Sequence, residues 1–142
     1  MVDPNAPGAQ REVTETDAVL GGASNLGNVG AIAVDGDEAF VTRYGDAGAV
    51  LRIGLGDHRV TALWEGALPL GSTSFDLSVA VDATHVYWLR HNSGASSDVL
   101  KRARCGGATV IVMKDIQSAS QLVLLGSTLV VHRQNAIVAI AK

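Results

Sequence analysis

The chain has 142 residues, 47% hydrophobic and only 4% aromatic, with 11 Lys and Arg against 14 Asp and Glu for a formal charge of −3. That is the size of one ordinary domain with enough apolar material for a core. Basic and acidic residues are interspersed, which excludes the concentrated Lys/Arg surface that nucleic-acid phosphates demand, and no apolar run approaches the roughly 20 residues of a membrane-spanning helix.

Residues 1–11 have neither a basic n-region nor an apolar h-region; they read as a disordered tail without a signal peptide, which leaves the compartment open. Residues 12–142 read as repeats. IAVDGDEAFVTR (residues 32–43), followed by VLRIGLGDHRVTAL from Val50, matches VAVDATHVYWLR (residues 79–90), followed by VLKRARCGGATVIV from Val99. Asp35 maps onto Asp82, 47 residues on, and Val50 onto Val99, 49 on; the added length falls in a hairpin loop, where it is tolerated. A third copy, LVLLGSTLVVHR (residues 122–133) then IVAIAK from Ile137, has a shorter loop.

Within each copy the apolar period is near two, rich in Val, Ile and Leu, and cut by Asp-Gly, Gly-Asp, Gly-Gly or Gly-Ser turns. The pattern predicts an inner strand A at residues 32–34, 79–81 and 122–124, and a strand B at 38–42, 85–89 and 128–132. Strand C begins at Val50, Val99 and Ile137, and strand D covers residues 60–64 and 109–113. No strand D follows the third copy; residues 12–20 are expected to supply it, giving the order D-ABC-D-ABC-D-ABC. The fold class is therefore all-β, with β-propeller blades of four antiparallel strands in repeats near residues 32–64, 79–113 and 122–142. Assembling one blade from both ends of a chain protects bare sheet edges. Three blades fall short of the roughly four to eight that close a ring. The expected partner is thus the chain itself, a homodimer completing a six-bladed ring; the alternative is a fragment.

At Tyr87 and Trp88 the chain resembles the six-bladed propeller repeats of the YWTD type and, more loosely, NHL and YVTN repeats. The second copy follows that layout of a small-apolar-Asp turn, Tyr-Trp, a loop and an apolar-basic strand C, with Leu89 and Arg90 in place of the usual Thr-Asp. The first copy has Phe40 and Val41. The likeness covers most of residues 32–142 and implies the fold alone, because such repeats serve as receptors, scaffolds and enzymes alike.

The chemistry is sparse. DGDE at residues 35–38 clusters carboxylates, but its repeat equivalents are DATH and LGST, so it reads as a hairpin turn and not a calcium loop. Histidines 58, 85, 91 and 132 lack zinc-type spacing, the lone Cys105 forms no intrachain disulfide, and no nucleophile elbow, Walker loop or HExxH occurs. No cofactor is expected. One feature repeats beyond what turns need: Arg43, Arg90 and Arg133 each end strand B at the B-C hairpin. With His91 they are the candidate ligand-binding residues, a guanidinium ring able to bind carboxylates or phosphates bidentately. The bland alternative is that each Arg packs its stem and pairs with a nearby carboxylate.

The D-A connections from Gly21, Glu65 and Asp115 (DIQSASQ) are expected as polar loops on the same rim. Trp64, ending strand D, is expected to pack between blades or mark a partner surface. The reading is a propeller-type binding or scaffold module whose B-C and D-A rim binds a protein, glycan or anionic ligand. One rival is a metal-assisted hydrolase or lyase, which needs acidic or histidine ligands at a central channel where strand A supplies mostly Ile, Ala, Val and Leu. Another is a truncated or engineered half-propeller without activity of its own.

Overall fold

The computed structural model describes residues 28–44, 47–67, 78–92 and 94–142. The expected tail at 1–11, the expected strand at 12–20 and most of the first two D-A connections lie outside them. The described residues form three antiparallel meanders. Sheet 1 contains β1 (Asn28–Asp35), β2 (Glu38–Tyr44), β3 (Ala47–Gly54) and β4 (Val60–Ala67). Sheet 2 contains β5 (Val79–Val81), β6 (His85–His91), β7 (Ser96–Ala103) and β8 (Val110–Gln117). Sheet 3 contains β9 (Ala119–Leu125), β10 (Thr128–Arg133) and β11 (Ala136–Ala141).

The sheets stack through their first strands, with β5 lying against both β1 and β9. Side chains alternate across a strand, and the sequence of each strand reflects how many of its faces are covered. In β6, between the other two sheets, Val86 to Leu89 are all buried, as in strands covered on both sides. Trp88 joins Phe40, Val50 and Leu63 in the core between sheets 1 and 2; its neighbour Tyr87 joins Leu122, Leu129 and Val131 between sheets 2 and 3. A third buried cluster, which includes Ala39, Val41 and Leu51, lies on the other face of sheet 1. By contrast, exposure alternates along β11.

The repeat recurs in the backbone pairing around the first hairpin of each sheet. Asp35 pairs with Glu38, and Leu125 with Thr128, across the first hairpin of their sheets; the Asp82 amide donates to the His85 carbonyl at 3.0 Å in the same place. After strand C, the amides of Leu55, Arg104 and Lys142 donate to the carbonyls of Asp37, Thr84 and Ser127 at 2.7, 2.9 and 3.4 Å.

Two segments differ from the sequence-based expectation. β4 continues past Trp64 to Ala67, and Trp64 sits 6.0 Å from the Trp88 ring, between sheets. DIQSASQ is not a loop: β8 runs to Gln117, β9 begins at Ala119, and only Ser118 turns the chain. Register shifts on β7 near Val99 take up Asp115 at φ 55°, so pairing resumes out to Ser96 and Gln117. Ser118, at φ 52°, donates its amide to the Ala95 carbonyl at 2.7 Å.

Ion pairs cross both junctions. Arg104 of sheet 2 binds Asp35 and, at 2.6 Å, Glu38 of sheet 1, with its guanidinium carbon 5.1 Å from the Phe40 ring centre. Lys142 of sheet 3 meets Asp82 of sheet 2 at 2.8 Å. The Arg104 hydrogen bond, opposed by burial and helped by Arg52, holds the Glu38 carboxyl below its ordinary range. Burial pushes Asp82 up, but bonds from Lys142, the Thr84 and His85 amides and Tyr87 outweigh it and hold its pKa far below normal. Burial and Asp82 in turn push the Tyr87 hydroxyl up to about 12.

Because both carboxylates titrate lower in the folded chain than unfolded, their stabilisation is complete above the ordinary carboxylate range and is lost as pH falls through the folded values. Urea unfolding should therefore show no contribution from them to pH dependence between about pH 6 and 8, and falling stability below about pH 4. Arg104→Met should cost about 2 kcal/mol at neutral pH and reduce that acid slope.

Candidate functional site

The three expected arginines occupy one structural position, since Arg43 pairs with Ala49, Arg90 with Asp98 and Arg133 with Ala136 at the same end of their sheets. Their surroundings differ because the opposing residue is a carboxylate in sheet 2 only. Arg90 Nη2 lies 2.6 Å from Oδ2 of Asp98, whose other oxygen accepts from Asn92 Nδ2 at 2.9 Å and the Asp115 amide at 3.0 Å. Burial alone would raise the pKa of Asp98; the Asp115 amide, Arg90 and Asn92 reverse this and hold it below the usual range. Arg90 is thus a structural counter-ion for a buried carboxylate. Arg43 reaches Glu65 of β4 at 3.7 Å, the residue facing Ala49 across the sheet. Sheet 3 has no fourth strand among the described residues. There, no hydrogen bond or ion pair with a described residue engages the Arg133 guanidinium, and the residue is exposed.

Arg133 opens onto a cleft of 330 Å³ lined by Gln117, Ser118, Gln134, Asn135 and Ala136. The cleft lies where the β8–β9 turn of one sheet meets the β10–β11 turn of the next. Its backbone is tied on both sides: Ser118 donates to Ala95 and its carbonyl accepts the Gln134 amide at 3.3 Å. A non-glycine residue at positive φ persists only where such contacts hold it. The lining combines a guanidinium with carboxamide and hydroxyl groups, a donor-rich set suited to carboxylate or phosphate oxygens.

The remaining expected ligand, His91, places Nδ1 2.8 Å from the Ser97 hydroxyl, while His132 does the same with Ser120 at 2.9 Å. Each imidazole thus engages a serine of its own sheet. At the opposite end of sheet 1, a smaller cleft of 190 Å³ includes Glu38, Arg52, Asp57 and Arg59. There Arg52 binds Glu38, and Asp57 accepts the backbone amide of Arg59 at 3.0 Å. Among the described residues, no group of three or more His, Cys, Asp or Glu is placed to hold a metal ion.

Sequence reasoning thus reached Arg133 and singled out the polar stretch containing Gln117 and Ser118, but missed Gln134 and Asn135. The available signal was their place between strands B and C of the third copy, a two-residue turn that presents both side chains beside Arg133. The contrast between the arginines is measurable. Asp98→Asn should destabilise by about 1–3 kcal/mol, because it leaves the Arg90 guanidinium without its charge partner. Arg133→Gln should stay within about 0.5 kcal/mol of wild type in the same thermal or urea unfolding experiment.

No protein-family model and no curated protein matches this chain. Among solved structures, it is similar to one titled "Crystal structure of the computationally designed Ika4 protein", at 10% identity and a TM-score of 0.44, covering 93% of this chain and 98% of that one.

Proposed function

We propose that this chain is a β-propeller-type binding module, three blades of a ring, which takes an anionic group of a peptide, glycan or small molecule at the Arg133 cleft. The observation that carries the reading is the difference among three equivalent arginines. Arg90 neutralises a buried carboxylate and Arg43 lies near Glu65, whereas no described residue takes up the donors of the Arg133 guanidinium, which faces the cleft. The blade reading is supported by the meander order of the sheets, their contact through first strands, and the way Tyr87 and Trp88 fill opposite junctions. The cleft joins a D-A turn to a B-C turn, the rim from which a propeller presents its variable loops.

Binding through a guanidinium fork predicts affinity for carboxylate and phosphate groups that weakens with added salt. Calorimetric titration with inorganic phosphate, citrate and a peptide bearing a free C-terminal carboxylate should identify at least one ligand. Arg133→Gln should weaken its binding by about tenfold or more, and Arg133→Lys should recover only part, because a point charge lacks the planar fork. Equal binding by the Arg133→Gln variant, or no binding of any probe by the native chain, would reject the cleft as the site.

A further inference from the structure

The two junctions inside the chain are built to one plan. A cation just after strand C of the later sheet meets the acid that follows strand A of the earlier one: Arg104 on Asp35, then Lys142 on Asp82. The hydrogen-bond register extends both series by one member. Leu55 is the equivalent of Arg104 and Lys142, for its amide makes the same bond to the first-hairpin turn. Leu125 is the equivalent of Asp35 and Asp82, for it faces Thr128 where Asp35 faces Glu38. At the two ends of the stack, the cation and the acid have therefore both become leucine. Leu55 is 41% exposed and Leu125 64%.

Their neighbours follow the same rule. Ile32 and Val34, 64% and 58% exposed along β1, hold the positions that Val79 and Val81 and then Leu122 and Leu124 fill at the inner junctions. On sheet 3, Val123 and the 71% exposed Ile137 hold the positions from which Ala80 and Val99 cover sheet 3. At each end of the stack part of a half-junction is thus exposed in apolar form, on sheet 1 as a strip beside Ala39, Val41 and Leu51, which are buried within the chain, and the absence of charge on both sides keeps the exposed strips matched. Clustered apolar exposure of this kind marks an interaction surface.

We propose that the strip Ile32, Val34 and Leu55 of one copy packs on the strip Val123, Leu125 and Ile137 of a second copy of this chain, with Leu55 seated on Leu125. The pairing rests on the propeller-type reading above. Six is the only multiple of the three described sheets within the roughly four to eight that propellers use, so two copies close the ring. A two-fold rotation makes the head-to-tail contact twice and leaves neither strip open.

Sedimentation velocity or light scattering over a dilution series of the native chain should give a dimer dissociating to monomer. Leu125→Asp alone should raise the dimer dissociation constant by about a hundredfold, because it buries an unpaired carboxylate, and Leu55→Arg alone should act in the same direction. The double variant recreates the Arg104–Asp35 arrangement and should return to within about tenfold of the native value. Both leucines are exposed in the single chain, so circular dichroism should find every variant folded. A native chain that stays monomeric, a closed mass other than two copies, single variants that associate normally, or a double variant no better than the weaker single would each overturn the seam. The Arg133 cleft lies within one chain, so phosphate titration reads it separately: a monomer that still binds defeats only the seam, and a dimer that binds nothing defeats only the ligand site.

Discussion

Tyr87 and Trp88 are consecutive on β6 and so point to opposite faces of sheet 2, which means that this sheet can bury its two largest side chains only if it is covered on both sides. That constraint organises the molecule. Sheet 1 covers the Trp88 face with Phe40, Val50 and Leu63; sheet 3 covers the Tyr87 face with Leu122, Leu129 and Val131. The outer sheets have no such pair. Phe40 and Val41 stand in sheet 1, Val130 and Val131 in sheet 3, and the apolar load per face is smaller.

Burial holds the sheets together, while polar contacts set how they sit. Arg104 binds two carboxylates of the next sheet and lies over Phe40, so one side chain fixes both spacing and register at the first junction. Asp82 plays the corresponding part at the second, gathering the Thr84 and His85 amides, the Tyr87 hydroxyl and Lys142. A carboxylate so fully hydrogen-bonded stays ionised despite partial burial. Ser78 adds a neutral link, since its hydroxyl joins strand A of sheet 2 to Leu122 of sheet 3 by accepting the Leu122 amide at 2.9 Å.

Repetition also explains how one position acquires three uses. Arg43, Arg90 and Arg133 descend from one place in the repeat, but the residue opposite them is Ala, Asp and Ala. Where Asp98 stands, the arginine becomes part of the framework; where sheet 3 lacks a described fourth strand, it remains on the surface beside a cleft. The same divergence acts at the junctions, where two cation–acid pairs lie inside the chain and leucines occupy the matching places at its ends.

The sequence by itself indicated where most of the described strands lie, their antiparallel meander order and the equivalence of the three copies. These follow from an apolar period of two and from turn residues between neighbouring segments, which are local properties. It also singled out the position shared by Arg43, Arg90 and Arg133, because a repeated charge is visible in a self-alignment. It did not determine that DIQSASQ is strand and turn, because the irregular pairing that carries β8 to Gln117 depends on the Asp98 carboxylate reaching the Asp115 amide from another strand. Nor did it separate the arginines, or show that Asp35 and Glu38 serve Arg104, 69 and 66 residues away. Only the tertiary structure decided those, because ion pairing between sheets depends on which side chains stacking brings within hydrogen-bond distance, and periodicity carries no record of that.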